Sequence, residues 1–349
     1  MTASQVLALD AMGGDRAPGI VVAGANLAMK RFPDARFRLV GKPDRIGKIL
    51  RRFPKLANVS EVVPADVVIE SDMKPSLALR RGAGSSMKIA IDDVRSGRAA
   101  GVVSAGNTGA MMAMAKLVLR TLPGIRRPAI ASTYPTLRGQ SVMLDLGANI
   151  ECDADDLVQF AIMGAAFARS VQGLREPTVG LLNVGSEEAK GHGEIRRAAE
   201  ILKSSSLPLR FHGFIEGNDI TEGTVDVVVA DGFSGNIALK TFEGTANLYT
   251  GFLRATFRRS VFSKLGYLLA RPALMALKNR VDPRRYNGGM FLGLNGVAVK
   301  SHGGTDARGF ANAIGFALDM MTEGFNDKVI LDLRNVTDGT IPLGGAATK

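Results

Sequence analysis

Short apolar runs rich in β-branched residues alternate along the chain with longer stretches in which apolar residues recur every three or four positions. The short runs predict strands at 6–11, 37–41, 101–104, 130–133, 141–146, 178–184, 209–215, 226–230 and 296–300. The longer stretches predict helices at 19–32, 43–53, 76–96, 108–120, 154–170, 187–203, 235–258 and 305–324. This alternation is typical of an α/β fold with a mostly parallel sheet and helices on both faces. We expect residues 1–335 to form one large domain, or two fused lobes, followed by a tail at 336–349.

Several predicted strands end in corners rich in Gly, Asn and Asp. Glycine lets backbone N–H groups approach an anion closely, and the N-terminus of the following helix adds a favourable field. Because α/β sheets bind ligands at the carboxyl ends of their strands, five such corners meeting at one edge would form a cleft. The candidate phosphate- and substrate-binding residues are Asp10, Gly13, Gly14, Asp15, Ser104, Gly106, Asn107, Thr108, Gly109, Asp145, Gly147, Asn149, Asn183, Gly185, Asp231, Ser234 and Gly235. The alternative is that these corners are simply good turns.

Other kinds of chemistry are disfavoured by what the sequence lacks. It contains no G-x-G-x-x-G after a strand, no G-x-x-x-x-G-K-[ST] and no G-x-S-x-G. The single cysteine, Cys152, lies between two acidic residues that disfavour its thiolate, and the three histidines are scattered. We therefore expect neither a cysteine nucleophile nor a metal site built from cysteines or histidines. No apolar run reaches the roughly 18 residues of a spanning helix, and the N-terminus lacks the basic start of a signal peptide, which predicts a cytoplasmic protein.

The positive charge of the chain is concentrated in one segment. The net charge is +11, and residues 249–285 hold nine basic residues and one acidic residue, so we expect the remainder to be nearly balanced. Apolar residues at helical spacing lie among the arginines, and a second apolar patch follows that is interrupted by Pro272, which should break or kink a helix. We expect the segment to form two short amphipathic helices at a protruding tip. The candidate docking residues are Phe252, Leu253, Arg254, Arg258, Arg259, Leu265, Leu268 and Arg271.

Such a basic amphipathic segment suits peripheral contact with an anionic membrane. Two alternatives are a solvated basic face over buried leucines and a docking site for an acidic carrier protein, which could share the same arginines. Nucleic-acid binding is not expected, because the segment contains no recognisable nucleic-acid-binding module.

Five motifs resemble those of the PlsX family, the bacterial phosphate acyltransferases: DAMGGD, SAGNTGA, DLGAN, LLNVGSEEAKG and ADGFSGNIALKTFEG. The resemblance runs from about residue 6 to 325. It implies a fold like that of the isocitrate and isopropylmalate dehydrogenases, shared with phosphotransacetylases. It also implies direct transfer of a fatty acyl group from acyl-acyl-carrier protein to inorganic phosphate, which supplies acyl-phosphate for phospholipid synthesis. The resemblance further implies a cytoplasmic homodimer that associates with the membrane, near the glycerol-3-phosphate acyltransferase that uses the product. We expect no cofactor, although the corner aspartates leave magnesium possible.

Two residues are the catalytic candidates. Phosphate attack on a thioester needs mainly positioning, charge neutralisation and stabilisation of an oxyanion, which amides and a cation provide. Lys190 is the candidate cation, expected in the first turns of a helix, and the resemblance places it at a lysine thought to act in the family's site. From spacing alone it could instead pair with Glu187 or Glu188. Asn236 could donate to an oxyanion, or could be an ordinary helix N-cap.

Three further functional hypotheses remain open. The chain could be a phosphotransacetylase-like enzyme that uses acyl-CoA, a dehydrogenase on the same fold, or a non-catalytic membrane scaffold. His192 could protonate the leaving thiolate, but we expect it to be a structural or an exposed residue. We expect His302 to be structural. If acyl transfer is correct, we expect an acyl groove near Phe252, Leu253 and Leu265.

Overall fold

The computed structural model describes residues 6–280, 282, 288–322 and 324–337. In this part of the chain the strands are β1 (Val6–Asp10), β2 (Arg36–Gly41), β3 (Ser60–Pro64), β4 (Gly101–Ser104), β5 (Ala129–Thr136), β6 (Gly139–Leu144), β7 (Thr178–Leu182), β8 (Arg210–Ile215), β9 (Val227–Val229), β10 (Gly289–Leu292) and β11 (Val297–Lys300). They form one sheet in the order β3-β2-β1-β4-β11-β10-β5-β6-β9-β7-β8.

Helices occupy most of the connections between these strands. They are α1 (Gly19–Arg31), α2 (Pro43–Leu50), α3 (Pro54–Ala57), α4 (Pro75–Arg81), α5 (Ser86–Arg95), α6 (Thr108–Leu119), α7 (Ala154–Gln172), α8 (Gly193–Ser204), α9 (Gly217–Glu222), α10 (Gly232–Arg258), α11 (Val261–Arg280), α12 (Ala307–Thr322) and α13 (Phe325–Thr337). Among the described residues, no helix combines the length and the hydropathy needed to cross a bilayer.

The sheet is covered on both faces, as the strand pattern predicts. Side chains alternate across a strand, so Leu7 and Leu9 of β1 join one apolar core while Ala8 joins the other. The first core includes residues of α1, α7 and α12, and the second includes residues of α5 and α6. Because β1 is buried on both faces, it is apolar without interruption until Asp10. The predicted α/β fold with a mostly parallel sheet is confirmed.

The direction of the strands reverses in the middle of the sheet, which the sequence pattern did not predict. β5 pairs antiparallel with both β6 and β10, and β10 pairs antiparallel with β11. As a result β1, β4 and β11 run opposite to β6, β9 and β7. The corners after β1 and β4 therefore lie at the opposite edge from those after β6, β9 and β7. The expectation that all five meet at one edge is wrong.

Several predicted elements differ from the structure. Strands β3 and β10 were not predicted, since each is short and carries a helix- or strand-breaking residue, Pro64 or Gly289. The predicted helix 76–96 is two helices, α4 and α5, because a new N-terminus forms where Ser85 Oγ accepts a hydrogen bond from Lys88 N. The predicted helix 187–203 begins only at Gly193.

The described part of the basic segment consists mainly of the end of α10 and of α11, which are longer than the expected helices, and Pro272 does not break α11. Asp231 caps α10, which then continues for 27 residues, and α11 spans 20 residues with Pro272 inside it. A proline removes one backbone donor, and the helix continues past that position. Helix α11 packs against α10. Residues 281 and 283–285 of the predicted segment, and most of the predicted tail, at 338–349, lie outside the described residues.

Candidate active site

A cavity of about 900 Å³ lies on the face of the sheet that carries α5 and α6. The floor of the cavity is formed by residues of neighbouring strands whose side chains point to this face of the sheet. Lys300 of β11 pairs with Gly289 of β10, and Ser132 of β5 lies in the same row across the strands. Gly289 and Ser132 are small, so the sheet surface is recessed beside the longer Lys300 side chain. The cavity therefore sits where the strand direction reverses.

The corners after β1 and β4 are held together by a buried carboxylate. Asp10 accepts hydrogen bonds from Ser86 Oγ and Ser104 Oγ, each at 2.6 Å. Burial raises the pKa of Asp10, and these hydrogen bonds oppose the rise. Gly13 is required here, because a Cβ atom would lie 2.7 Å from Gly106 N. Asp10, Gly13 and Ser104 thus shape the two corners and do not themselves line the cavity.

The residues that follow these two corners along the chain line the cavity. Gly14, Asp15, Gly106, Asn107 and Thr108 form one wall, whereas Gly109 does not reach the cavity. Asn107 caps α6 by accepting a hydrogen bond from Ala110 N at 2.9 Å. Its amide group donates to Ser71 O and Met73 O, each at 2.9 Å, which fixes the loop after β3 against this wall. This wall is the predicted phosphate-binding corner, at the N-terminus of α6.

The corners after β6 and β9 form a second tightly packed pair. Asp145 is fully buried, and its carboxylate accepts hydrogen bonds from Ile130 N and Asn149 N at 2.9 and 2.7 Å. Burial raises the pKa of Asp145. Asn149 also donates to Pro128 O at 2.8 Å. Asp145 and Asn149 are therefore structural residues of the turn, and only Gly147 of this corner's candidates lines the cavity.

Asn236 is brought into the cavity by this packing. Asp231, not Asn236, is the N-cap of α10, and it accepts a hydrogen bond from Ser234 N at 2.6 Å. Gly235 lies against Asp145 O so closely that a Cβ atom would overlap it. The Asn236 amide donates to Leu146 O at 2.9 Å and lines the cavity. Asp231, Ser234 and Gly235 therefore position Asn236 and stay outside the cavity.

One face of α10 extends the wall beyond Asn236. The cavity-lining residues of this helix recur at helical spacing: Asn236, Leu239, Lys240, Glu243 and Asn247. Lys240 forms an ion pair with Glu243 at 2.7 Å. Together with Ile130 and Tyr134 of β5, Leu239 gives the cavity an apolar side that faces the glycine-rich corners.

Lys190 lies outside the cavity. It occupies the loop between β7 and α8, not the first turns of a helix, and its side chain is exposed. Asn183 closes the loop by donating to Gly185 O and Lys190 O, at 3.1 and 3.2 Å. The pairing expected as an alternative is absent in the described residues, because Glu188 pairs with Lys203. β7 neighbours β9, so this loop is adjacent in the sheet to the corner that carries Asn236.

Lys300 is the cavity residue that the sequence interpretation missed. It ends β11, and burial lowers its pKa from 10.5 to about 8, with Asp10 and Asp15 opposing the change. The signal was present, since an apolar strand ends in a lysine and is followed by the glycine corner Ser301–Thr305. His302 also lines the cavity, which is contrary to the expectation that it is only structural.

Cys152 and the acidic residues give little support to covalent or metal chemistry. The Cys152 thiol is partly buried, and burial together with Asp145 and Asp156 raises its pKa to about 12. A thiol with such a pKa is a poor nucleophile at neutral pH. Within the described residues, no group of three or more acidic, histidine or cysteine side chains could hold a metal ion.

The distal part of α10 and helix α11 expose large apolar side chains. Phe252, Leu253, Leu265 and Leu268 are 60, 44, 56 and 60% exposed, and Phe262 is 85% exposed. They do not line the cavity. Arg254 and Arg258 lie on α10, Arg259 directly follows it, and Arg271 lies on α11. These four arginines form no ion pair within the described part of the chain.

The rest of the chain is less evenly charged than expected. Residues 30–55 contain ten basic and two acidic residues, a net charge of +8 that acidic residues elsewhere cancel. Lys48, Arg51 and Arg52 of this second basic region are exposed, but no large apolar side chain between residues 28 and 66 is exposed. The two basic regions therefore differ in their apolar surface.

Comparison with known proteins identifies the family. Residues 5–328 match the family described as "Fatty acid synthesis protein". The phosphate acyltransferase of Rhodospirillum centenum is 65% identical over 323 residues, which cover 93% of this chain and 91% of that protein. The phosphate acyltransferase of Rhodospirillum rubrum is 58% identical over 329 residues, covering 94% of each chain.

Among solved structures, the fold is similar to that of phosphotransacetylases. A phosphotransacetylase from Streptococcus pyogenes has a TM-score of 0.62 at 16% identity and covers 93% of this chain and 95% of its own. 4-Hydroxythreonine-4-phosphate dehydrogenase from Klebsiella pneumoniae has a TM-score of 0.53 at 15% identity, with coverage of 93 and 100%. These likenesses concern the fold alone. The extent and identity of the sequence matches show that this chain belongs to the fatty acid synthesis protein family, together with the phosphate acyltransferases.

Proposed function

We propose that this enzyme transfers a fatty acyl group from acyl-acyl-carrier protein to inorganic phosphate and so supplies acyl-phosphate for phospholipid synthesis. The observation that carries the proposal is the cavity that places Asn236 together with the glycine-rich wall at Gly106–Thr108. Backbone amides at that wall suit an anion, and the apolar side formed by Leu239, Ile130 and Tyr134 suits the first carbons of an acyl chain.

The reaction proposed for this cavity is a direct attack. An oxygen of hydrogen phosphate forms a bond to the thioester carbonyl carbon, and the carbon–sulfur bond breaks with its electron pair moving to sulfur. The phosphate proton passes to the thiol that leaves, so atoms and charge balance. We propose that the Asn236 amide, which also donates to Leu146 O, donates a second hydrogen bond to the carbonyl oxygen as it becomes an oxyanion. This kind of stabilisation contributes most to acyl transfer. No metal enters these steps.

Lys190 is proposed as a second catalytic group that acts from the neighbouring loop. Its ammonium group is exposed and unpaired within the described residues, and the loop adjoins the Asn236 corner. A mobile cation at that place can contact the phosphate or carbonyl oxygen of a bound substrate. We expect Lys190→Ala and Asn236→Ala each to lower turnover by roughly tenfold or more with an unchanged circular dichroism spectrum. Lys116→Ala, which removes an exposed lysine that forms no ion pair in the described part of the chain, should change turnover by less than about twofold. Near-normal rates in both site variants would contradict the assignment.

The acyl donor and the competing functions are separated by one set of assays. Radiolabelled phosphate is supplied with acyl-acyl-carrier protein or with acyl-CoA, and acyl-phosphate is measured. Faster turnover with the carrier protein supports the proposal, and faster turnover with acyl-CoA favours the phosphotransacetylase-like alternative. A scaffold would cleave neither thioester. A dehydrogenase would bind a nicotinamide cofactor, for which the same protein is tested by calorimetry.

We further propose that the distal half of α10 and α11 form a protruding tip that binds an anionic membrane. The exposed apolar residues Phe252, Phe262 and Leu268 on helices that also carry unpaired arginines support this proposal. Helix α10 is continuous from the cavity wall to this surface, so product released along it reaches the bilayer, where a glycerol-3-phosphate acyltransferase can use it. A homodimer is proposed from family membership, and its test is analytical ultracentrifugation.

The membrane proposal is tested by charge reversal with a matched control. Each basic residue near an anionic surface contributes about 1 kcal/mol, so Arg254→Glu/Arg258→Glu/Arg259→Glu should weaken binding to phosphatidylglycerol vesicles by roughly a hundredfold. The control, Lys48→Glu/Arg51→Glu/Arg52→Glu, makes the same charge change on the second basic region, which exposes no large apolar side chain. Unchanged vesicle binding by the α10 variant would refute membrane contact. A raised KM for acyl-carrier protein in that variant alone would instead assign the segment to carrier docking.

A further inference from the structure

Lys300 occupies a position in the cavity that none of the sequence motifs indicated. It is the last residue of β11, and its register partners are Ser104 on one side and Gly289 on the other. Ala298, two residues earlier, belongs to the core on the cavity side of the sheet, so the Lys300 side chain projects to that side. Because Gly289 has no side chain, the ammonium group of Lys300 has open space beside it in the cavity floor.

The hydrogen-bonding capacity of this ammonium group is largely unused. It donates to Ser301 O, the carbonyl of the next residue, and within the described part of the chain it forms no ion pair. An ammonium group has three donors, so two remain without a protein acceptor in the described residues. The other lysine on the cavity wall, Lys240, has its charge balanced by Glu243. Lys300 is therefore the lysine of this cavity whose charge has no carboxylate partner in an ion pair among the described residues and can be balanced by a bound anion.

The groups that face Lys300 have opposing effects on its charge. Asp10 beneath it and Asp15 after β1 favour the charged form, whereas Lys240 from α10 disfavours it. Asp10 already accepts hydrogen bonds from two serines, Ser86 and Ser104. Glu70 and Glu243 also line the cavity, as does His302 from the adjoining corner. Burial outweighs the two aspartates, so the net effect on the pKa is a decrease to about 8.

We infer that Lys300 binds the inorganic phosphate substrate, with two of its N–H donors directed at phosphate oxygens beside the Gly106–Thr108 wall. Burial removes water from the ammonium group, and the oxygens of a phosphate dianion replace that water as hydrogen-bond acceptors. Phosphate binding therefore favours the protonated form of Lys300, and protonation of Lys300 favours phosphate binding. This inference rests on the proposed function, since it assigns a ligand to the same cavity. It goes beyond that function by naming the cation that holds phosphate and by making phosphate affinity dependent on pH.

The first experiment separates phosphate binding from catalysis. Phosphate binding to the full-length protein is measured at pH 7 by calorimetry in the absence of an acyl donor, and steady-state kinetics are then measured with acyl-acyl-carrier protein. Lys300→Met should weaken phosphate binding and raise the phosphate KM by roughly tenfold or more, with less than about twofold change in the KM for the acyl donor. Lys116→Met, which removes an exposed lysine of α6, should behave as the wild-type protein. Equal phosphate affinities of wild-type and Lys300→Met protein would overturn the inference.

The second experiment uses pH and remains informative if Lys300→Met fails to fold. In the wild-type protein, phosphate affinity should fall about tenfold per pH unit above pH 8, where the free lysine loses its proton. Lys300→Arg keeps a charge that no accessible pH removes, so it should restore binding and abolish this decline. A decline at the same pH in Lys300→Arg would overturn the inference. If phosphate binds as described but no acyl-phosphate forms from any thioester, the proposed function fails and the assignment of Lys300 stands.

Discussion

The buried charge of Lys300 makes a quantitative prediction about stability. A lysine whose pKa is lower in the folded protein than in the unfolded chain destabilises the fold while it is protonated in both states. The pKa falls from 10.5 to about 8, and each pKa unit corresponds to about 1.36 kcal/mol, so the cost at neutral pH is about 3 kcal/mol. Lys300, which we assign to phosphate binding, should therefore lower the free energy of unfolding at neutral pH.

The pH window follows from the direction of the shift. Below pH 8 the lysine is protonated in both states, and the full cost is present. Between pH 8 and 10.5 the unfolded chain binds more protons than the folded protein, so the free energy of unfolding rises with pH. Above 10.5 the lysine is neutral in both states and the cost is gone. The wild-type protein should gain about 3 kcal/mol relative to Lys300→Met across this window.

The assay is urea unfolding of wild-type and Lys300→Met protein in phosphate-free buffers from pH 7 to 10.5. The chain has no tryptophan, so unfolding is followed by far-ultraviolet circular dichroism. The tyrosines and the remaining lysines titrate in both proteins, and their contributions cancel in the difference. At pH 7 the variant should be the more stable protein, and the two should converge as pH rises. Parallel curves would show that Lys300 is solvated and would refute the argument from the cavity.

Two further predictions concern positions around the site. Gly235→Ala should lower turnover strongly and destabilise the protein, because the new Cβ atom would overlap Asp145 O and displace Asn236. Gly244→Ala on the same helix is the control: its Cβ atom meets no atom within 4 Å, so the change should be neutral or should stabilise the protein by up to about 1 kcal/mol. Thermal unfolding and turnover of the two variants check this, and equal behaviour would contradict it. Cys152→Ser should retain turnover within about twofold, since the pKa of the thiol is about 12, and steady-state assays with and without a thiol reagent check this. Loss of activity in that variant would show that the thiol takes part.

Local sequence determined much of the fold. Strands such as β1 and β4 are buried on both faces and are therefore apolar throughout, which makes them recognisable without tertiary information. The glycine corners after them were also identifiable, because close packing such as that of Gly13 against Gly106 tolerates no side chain. The motif resemblance pointed to the family that the comparisons show.

Tertiary structure decided which of the corner residues reach the cavity. Asp10 and Asp145 looked like ligands in the sequence, yet both carboxylates are buried and accept hydrogen bonds from neighbouring serines or backbone amides. A buried carboxylate must find donors, and which donors are near depends on how separate corners pack. Gly14 and Asp15, only a few residues away from Asp10, line the cavity instead.

Tertiary structure also decided how the charge is distributed and what role Lys300 has. The net charge of the residues outside 249–285 is small, and this total concealed the second basic region at 30–55, because acidic residues elsewhere in the chain cancel it. Lys300 ends a four-residue strand before a glycine corner, but this sequence signal does not by itself show that the lysine lies in a cavity. Its importance comes from the antiparallel strand β10, which lies between β11 and β5 and places Gly289 beside Lys300 in the cavity floor. The sequence by itself determined the strands, the corners and the family, because these depend on local periodicity and backbone freedom. Only the tertiary structure decided which corners share a cavity and which cation lies in it, because strand order and direction depend on contacts between distant residues.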